Sequence, residues 1–227
     1  MNPVLVAHGT RKGTGVAMIE TLASDVGALL GRRVQTAFVD VLGPTPADVL
    51  RALPAGPAVV VPAFLSSGYH VHVDIPAGVA ASGHLDVTVT GALGPSVEII
   101  RVLCDRLIES GWRPTDSVIL GAAGTSDPRA SSDLRRTAAM LSAALGSRVE
   151  LAYAINGTHW AGDAVASLRE RGARRVVVAS YLLADGLFQD RLRTCGADLV
   201  TEPLGGHAGI ARLIASRFRL ARVSLAA

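Results

Sequence analysis

The chain carries one order of predicted strands and helices twice, and this internal repeat constrains its fold more than any other feature. In the first copy, strands and helices alternate over 4–7, 16–30, 34–39, 46–53, 58–62, 74–81, 87–90 and 97–109. In the second copy, the pattern returns over 118–121, 131–145, 149–154, 161–171, 175–179, 199–201 and 210–218. Leu93-Gly94-Pro95 and Leu204-Gly205-Gly206 introduce the last helix of each copy. The repeat therefore indicates an internal duplication.

Strands that alternate with helices predict parallel sheets built from right-handed β-α-β units. Four strands per copy predict an α/β fold of two tandem flavodoxin-like lobes, each a four-stranded parallel sheet flanked by helices. We place the boundary in Gly111-Trp112-Arg113-Pro114, which gives lobes at 1–112 and 113–227. Ligands of such sheets bind beyond the carboxyl ends of the strands, and a cleft between two lobes is a favoured place for them.

Composition and charge argue against several classes of protein. Residues 1–20 lack the pattern of a signal peptide and no apolar run has the length of a membrane span, so we expect a cytoplasmic protein. Cys104 and Cys195 are expected to be reduced thiols. The net charge of +3 comes from scattered arginines without interleaved aromatic residues. This pattern argues against nucleic acid and favours a polyanionic small molecule.

Two histidines follow strands that should be neighbours. His8 comes directly after the first strand, and His70 follows the third strand at 58–62. Because the first and third strands are adjacent in the doubly wound order, both imidazoles should reach the same edge of one sheet. Two imidazoles with a carboxylate such as Asp40 suit iron, cobalt or nickel. His72 is a further candidate ligand, although we favour a position facing solvent, in an extended loop beside His70.

The second copy lacks both histidines. Alignment of the copies places Ala123 at the position of His8 and Phe188 at that of His70. One copy therefore looks equipped for chemistry and the other for holding a substrate. Donors and charged groups at the matching edge of the second copy suit substrate carboxylates. They are Thr125, Ser126, Asp127, Arg129, Asp185, Gln189, Arg191 and Arg193.

Two segments carry a resemblance to a known family. They are Val-Leu-Val-Ala-His-Gly-Thr-Arg at 4–11 and Pro-Ala-Phe-Leu-Ser-Ser-Gly-Tyr-His-Val-His-Val-Asp-Ile-Pro at 62–76. With the degenerate second copy, they resemble the class II chelatases, specifically the sirohydrochlorin chelatases of the two-lobed, single-chain type. His70, rather than His72, falls on the family's motif histidine. The chain departs from the family at Asp40, where Glu is commoner, and at Tyr69, where Gly is commoner.

The resemblance implies insertion of Fe²⁺ or Co²⁺ into sirohydrochlorin, an octacarboxylate tetrapyrrole, on the way to sirohaem or cobalamin. His8 and His70 would bind the metal and accept the pyrrole protons. The third metal ligand could be Asp40, His72 or a nitrogen atom of the substrate. The metal is then a substrate, no cofactor is permanently bound, and we expect a monomer. We expect Fe²⁺ ahead of Co²⁺, although the residues alone do not distinguish these ions from Ni²⁺. The residues predicted to bind the tetrapyrrole are Thr10, Arg11, Asp40, Ser66, Ser67, Thr125, Ser126, Arg129, Gln189 and Arg191.

Two alternatives stay open at this point. The first is a metal or tetrapyrrole carrier with the same cleft and no turnover. The second is a histidine phosphotransfer enzyme, which ranks lower because Arg11 follows His8, whereas in that family the arginine normally precedes the histidine.

Overall fold

The structure, a computed structural model, describes residues 1–155 and 159–226, with side chains described as far as residue 221. The elements of the first copy are β1 (Asn2–Ala7), α1 (Gly13–Leu30), β2 (Gln35–Phe38), α2 (Pro46–Ala52), β3 (Ala58–Pro62), α3 (Ile75–Ser82), β4 (Val87–Val89) and α4 (Val97–Glu109). Those of the second copy are β5 (Ser117–Ala122), α5 (Pro128–Leu145), β6 (Val149–Tyr153), α6 (Ala161–Glu170), β7 (Val176–Tyr181), α7 (Leu187–Arg193), β8 (Leu199–Val200) and α8 (Ala208–Ala226).

The strands form two parallel sheets with the same order. One sheet runs β2-β1-β3-β4 and the other β6-β5-β7-β8. In the first sheet Ala7 pairs with Phe38 and Val6 with Pro62, so the carboxyl ends of three strands lie side by side. This arrangement confirms the predicted fold of two four-stranded parallel sheets with β1 and β3 as neighbours.

The copies also share hydrogen bonds outside the helices and strands. The amide of Leu93 donates to the carbonyl of Phe64 at 2.8 Å, and the amide of Leu204 donates to that of Leu182 at 2.9 Å. Phe64 therefore corresponds to Leu182, and the same offset pairs His70 with Phe188. The structure thus supports the alignment derived from the sequence.

The compact units differ from the copies of the repeat. The first unit comprises Met1–Gly94 and Gly205–Ala227, and the second comprises Pro95–Leu204. Helix α8 packs against α1 and β3 in the first unit, whereas α4 packs against α5 and β7 in the second. The boundary between 112 and 113 was predicted from the repeat, whereas packing divides the chain after 94 and after 204.

Valine-rich strands between helices provide the core of each unit. Strand β3 is buried along its whole length, as expected for a parallel strand covered on both faces. In the first unit, Val4, Val60 and Ile75 belong to one buried cluster. In the second, Ile119 and Val178 belong to another. Among residues 1–155 and 159–226, no helix is both long enough and apolar enough to cross a membrane.

Two short segments differ from the sequence prediction. His70–Asp74, expected to start as an extended loop, forms a π-helical turn that leads into α3. Pro76 has no N–H to donate to the carbonyl of His72, so the regular α-helical ladder is interrupted here. The second difference is α7, a helix of seven residues that the sequence pattern did not predict.

Candidate active site

His8 and His70 meet at the carboxyl edge of the first sheet. Their ring centroids lie 4.7 Å apart, with an angle of 86° between the ring planes. His8 directly follows β1, and a short loop and the start of the π-helical turn bring His70 back from the end of β3. The predicted juxtaposition of the two imidazoles is therefore present in the structure.

Gly9 allows the chain to turn directly after His8. Its φ is +88°, and a Cβ atom at this position would lie 2.3 Å from the backbone oxygen of Asp40. An L-residue with a side chain would thus meet both an unfavourable dihedral angle and a steric clash. The corresponding Gly124 in the second copy also has a positive φ, of +109°, and a Cβ there would meet Ile155. The glycine retained in both copies is explained by this turn.

Both histidines use Nδ1 for a hydrogen bond within the protein. Nδ1 of His8 lies 3.1 Å from the carbonyl oxygen of Gly9. Nδ1 of His70 lies 2.5 Å from Oδ2 of Asp74. Because a carbonyl and a carboxylate accept hydrogen bonds, each Nδ1–H is the donor, and each neutral ring keeps the lone pair of Nε2. Nε2 is therefore the nitrogen that each histidine can offer to a metal ion or a proton.

Two aromatic rings lie beside His70. The Phe64 ring centroid is 5.8 Å from that of His70, and the Tyr69 centroid is 6.1 Å from it in an edge arrangement. The side chain of His70 is 33% exposed, whereas Tyr69 is 58% exposed. His70 is therefore supported by neighbouring rings while it remains open to solvent.

Asp40 and His72 were candidates for a third ligand. The carboxylate of Asp40 is exposed, and its Oδ1 accepts from the amide of Val41 at 2.7 Å. His72 is exposed, as expected, but it lies in the π-helical turn and not in an extended loop. In the part of the chain that the structure describes, no group of three or more His, Cys, Asp or Glu side chains has the arrangement of a metal site.

The other candidates in the first unit lie in loops at the same sheet edge. Oγ1 of Thr10 accepts from the amide of Lys12 at 3.2 Å, which orders the turn before α1. Arg11 is exposed. Ser66 and Ser67 are half-buried in the loop between β3 and the π-helical turn. Arg11 and both serines are thus exposed to solvent near the two histidines, at least in part.

Several candidates in the second unit are exposed and others are paired. Thr125 repeats the turn of Thr10, because its Oγ1 accepts from the amide of Asp127 at 3.0 Å. Asp127 caps α5 by accepting from the amide of Arg129 at 2.8 Å. The exposed side chains in this set are Ser126, Arg129, Arg191 and Arg193. Arg193 differs from the other three because it forms ion pairs with Asp185 at 2.9 Å and Glu202 at 2.8 Å.

Gln189 corrects the predicted set. Its side chain is fully buried. Its Oε1 accepts from the hydroxyl of Ser180 at 2.6 Å, and its Nε2 donates to the carbonyl of Thr201 at 2.9 Å. Both ends of the amide are thus used inside the protein, so Gln189 holds α7 to the sheet and does not reach a ligand.

Sequence reasoning missed Asp74. The spacing of four residues between His70 and Asp74 was a usable signal, because residues four apart share one face of a helix. The signal was hidden because the segment was interpreted as extended chain, in which such residues do not meet.

Comparison with known proteins agrees with this fold. The CbiX family profile matches residues 2–110 and 117–221. No curated protein shows significant similarity to the chain. SirB from Bacillus subtilis with Fe³⁺ is 18% identical, with a TM-score of 0.80 over 96% of this chain and 95% of that one. SirB from Bacillus subtilis subspecies spizizenii with cobalt, a sirohydrochlorin chelatase, is 20% identical, with a TM-score of 0.76 over 96% and 94%.

A third solved structure is CbiX, described as the terminal enzyme for biosynthesis of siroheme in denitrifying bacteria. It is 22% identical, with a TM-score of 0.73 over 97% of this chain and 99% of that one. These likenesses establish a shared fold, and the family profile covers nearly the whole sequence. The resemblance to chelatases is confirmed, and the chain belongs to the CbiX family.

Proposed function

We propose that this protein is a sirohydrochlorin chelatase, which exchanges the two inner protons of sirohydrochlorin for a divalent metal ion. The observation that carries the proposal is the close pair of His8 and His70, each with Nδ1 engaged and the lone pair of Nε2 retained. Membership of the CbiX family and the chelatase activity of the SirB neighbour support it.

The two imidazoles match the chemistry of insertion. A neutral Nε2 binds a borderline ion such as Fe²⁺ or Co²⁺. Once the ion has passed to the pyrrole nitrogens, the same lone pairs are free to accept the two protons that leave the macrocycle. Each histidine thus acts first as a ligand and then as a base, and both return to the neutral form when they release their protons to water.

The substrate would be held through its carboxylates. Arg11 in the first copy and Arg129 and Arg191 in the second are exposed cations, which suit carboxylates. Thr10, Ser66, Ser67, Thr125 and Ser126 provide further hydroxyl donors at the two sheet edges. We propose that the first copy carries the metal chemistry and the second holds the tetrapyrrole, with Asp40 as a further contact to the metal or the substrate.

We propose Fe²⁺ as the first metal and Co²⁺ as the second, which leads to sirohaem or to a cobalamin precursor. Both ions suit paired imidazoles. The SirB structures with Fe³⁺ and with cobalt support either choice.

The proposal is tested by anaerobic absorbance assays in which sirohydrochlorin is in large excess over the protein. Fe²⁺, Co²⁺ and Ni²⁺ are added in turn. A chelatase metallates many equivalents of sirohydrochlorin per protein, above the rate without protein. A carrier converts at most one equivalent, and that result would exclude the enzyme.

A further inference from the structure

Asp74 is the last residue of the π-helical turn and directly precedes α3. Its own backbone is helical, with φ −69° and ψ −43°, whereas a residue that caps a helix has an extended backbone, so Asp74 continues the helical segment and is not its cap. Its side chain makes no capping hydrogen bond. Its carboxylate instead accepts from Nδ1 of His70 at 2.5 Å.

The local backbone presents the two side chains to each other. In the π-helical turn, the amide of Ile75 donates to the carbonyl of His70. This hydrogen bond closes the turn that carries both His70 and Asp74. Val71 and Ile75, also four residues apart, are buried. His70 and Asp74 remain about one-third exposed. The buried pair thus fixes the turn, and the polar pair faces the site.

Comparison of the two copies indicates that Asp74 is not needed merely to maintain the fold. The offset that pairs His70 with Phe188 pairs Asp74 with Leu192. Leu192 is fully buried in the core of the second unit, and Phe188 packs against the same cluster. The carboxylate is therefore present in the copy that has the imidazole and replaced in the copy that lacks it.

We propose that Asp74 is a positioning residue for metallation, an inference that rests on the proposed function. Asp74 holds His70 in the Nδ1–H tautomer and fixes the rotation of the ring, so that Nε2 faces the incoming ion. Carboxylates that accept from the second nitrogen of a metal-binding histidine typically change metal affinity or activity by about 10- to 100-fold when they are removed.

His8 provides an internal control. Its Nδ1 donates to the backbone carbonyl of Gly9, which no side-chain substitution removes. A change at Asp74 should therefore alter His70 and leave His8 as it is.

The tautomers are measured by ¹⁵N NMR of histidine-labelled, metal-free protein at a pH where both imidazoles are neutral. We expect Nδ1–H for both histidines in the wild type. In Asp74→Ala, His70 shifts towards the Nε2–H form and His8 keeps the Nδ1–H form. An Nε2–H form of His70 in the wild type, or an unchanged His70 in the variant, would overturn the proposal. Asp74→Leu, which introduces the residue type found at the matching position 192 and has no acceptor for Nδ1–H, gives the same test if Asp74→Ala does not fold.

The kinetic test follows Co²⁺ insertion. Asp74→Ala should lower kcat over KM for Co²⁺ by about 10- to 100-fold while KM for sirohydrochlorin stays unchanged. Asp74→Glu should recover part of the loss, because a carboxylate is restored. Asp25→Asn, which alters an exposed carboxylate on α1, should have no effect.

Full activity of Asp74→Ala, or a loss confined to KM for sirohydrochlorin, would contradict the proposal. If the wild type itself does not metallate sirohydrochlorin, the proposed function fails. The NMR result still decides whether Asp74 sets the tautomer of His70, so the two failures are distinguishable.

Discussion

At the scale of single residues, the pair of His8 and His70 leads to the first prediction. His8→Ala and His70→Ala should each lower the rate of metallation by about 100-fold or more, because each removes a proposed metal ligand that is also a proposed proton acceptor. Sirohydrochlorin binding, measured by the change in its absorbance without metal, should persist. His72→Ala is the matched control from the same segment and should keep its activity. Normal turnover of both His8→Ala and His70→Ala would refute the proposed roles.

The position of a side chain after a strand was predictable from the sequence, whereas its hydrogen-bond partner was not. His8 and His70 were expected to meet because their strands are neighbours, and their rings lie 4.7 Å apart. Asp74 was missed because its partner depends on a helical turn, whereas the alternating residues 70–74 indicate an extended chain. The order of strands follows from the pattern of the whole chain, but a single turn depends on a few backbone hydrogen bonds.

At the scale of elements, the strands and long helices follow their apolar patterns, and the short helices do not. β3 and α4 have the predicted bounds, because a run of valines and a strong apolar face each identify one kind of element. Helix α7 was not predicted, because its seven residues span less than two helical turns, which is too short to show a helical periodicity of apolar residues. Gln189 was misassigned for the same reason, because the unpredicted helix turns its side chain inward.

Gln189 and Arg191, on this same helix, should respond differently to substitution. Gln189→Ala leaves the hydroxyl of Ser180 and the carbonyl of Thr201 without their buried partner, so it should lower the free energy of unfolding by about 1–3 kcal/mol. It should not change KM for sirohydrochlorin in the protein that remains folded. Arg191→Ala should do the reverse, raising KM without a change in stability. Thermal unfolding and steady-state kinetics separate the two effects, and a raised KM for Gln189→Ala with unchanged stability would restore it to the substrate site.

At the scale of the whole molecule, the duplication and both sheets were predictable from the sequence. The sheet against which the last helix of each copy packs was not. An apolar helix face looks the same in the sequence whichever sheet it covers. α4 and α8 have such faces, yet α4 packs with β7 and α8 with β3. The chain passes from one unit to the other after Gly94 and after Leu204, and these connections carry no periodic signal in the sequence.

Each compact unit contains the last helix of the other copy of the repeat, and this predicts which fragments of the chain fold. A fragment of residues 1–112 lacks α8, so α1 and β3 lose their cover and the fragment should not fold. A fragment of residues 95–204 contains the complete second unit and should fold alone. Circular dichroism and the dispersion of NMR signals test both. A well-folded 1–112 would show that α8 is dispensable to the first unit.

The position of α8 also has a consequence for synthesis on the ribosome. The second unit is a continuous segment, so all of its residues emerge before α8 does. The unit with His8 and His70 starts to emerge before the second unit and is completed after it, because α1 and β3 pack against a helix that starts at Ala208. A nascent chain therefore completes the scaffold of these two histidines only after the whole second unit has emerged, and a chain that terminates before α8 would carry both histidines without that scaffold.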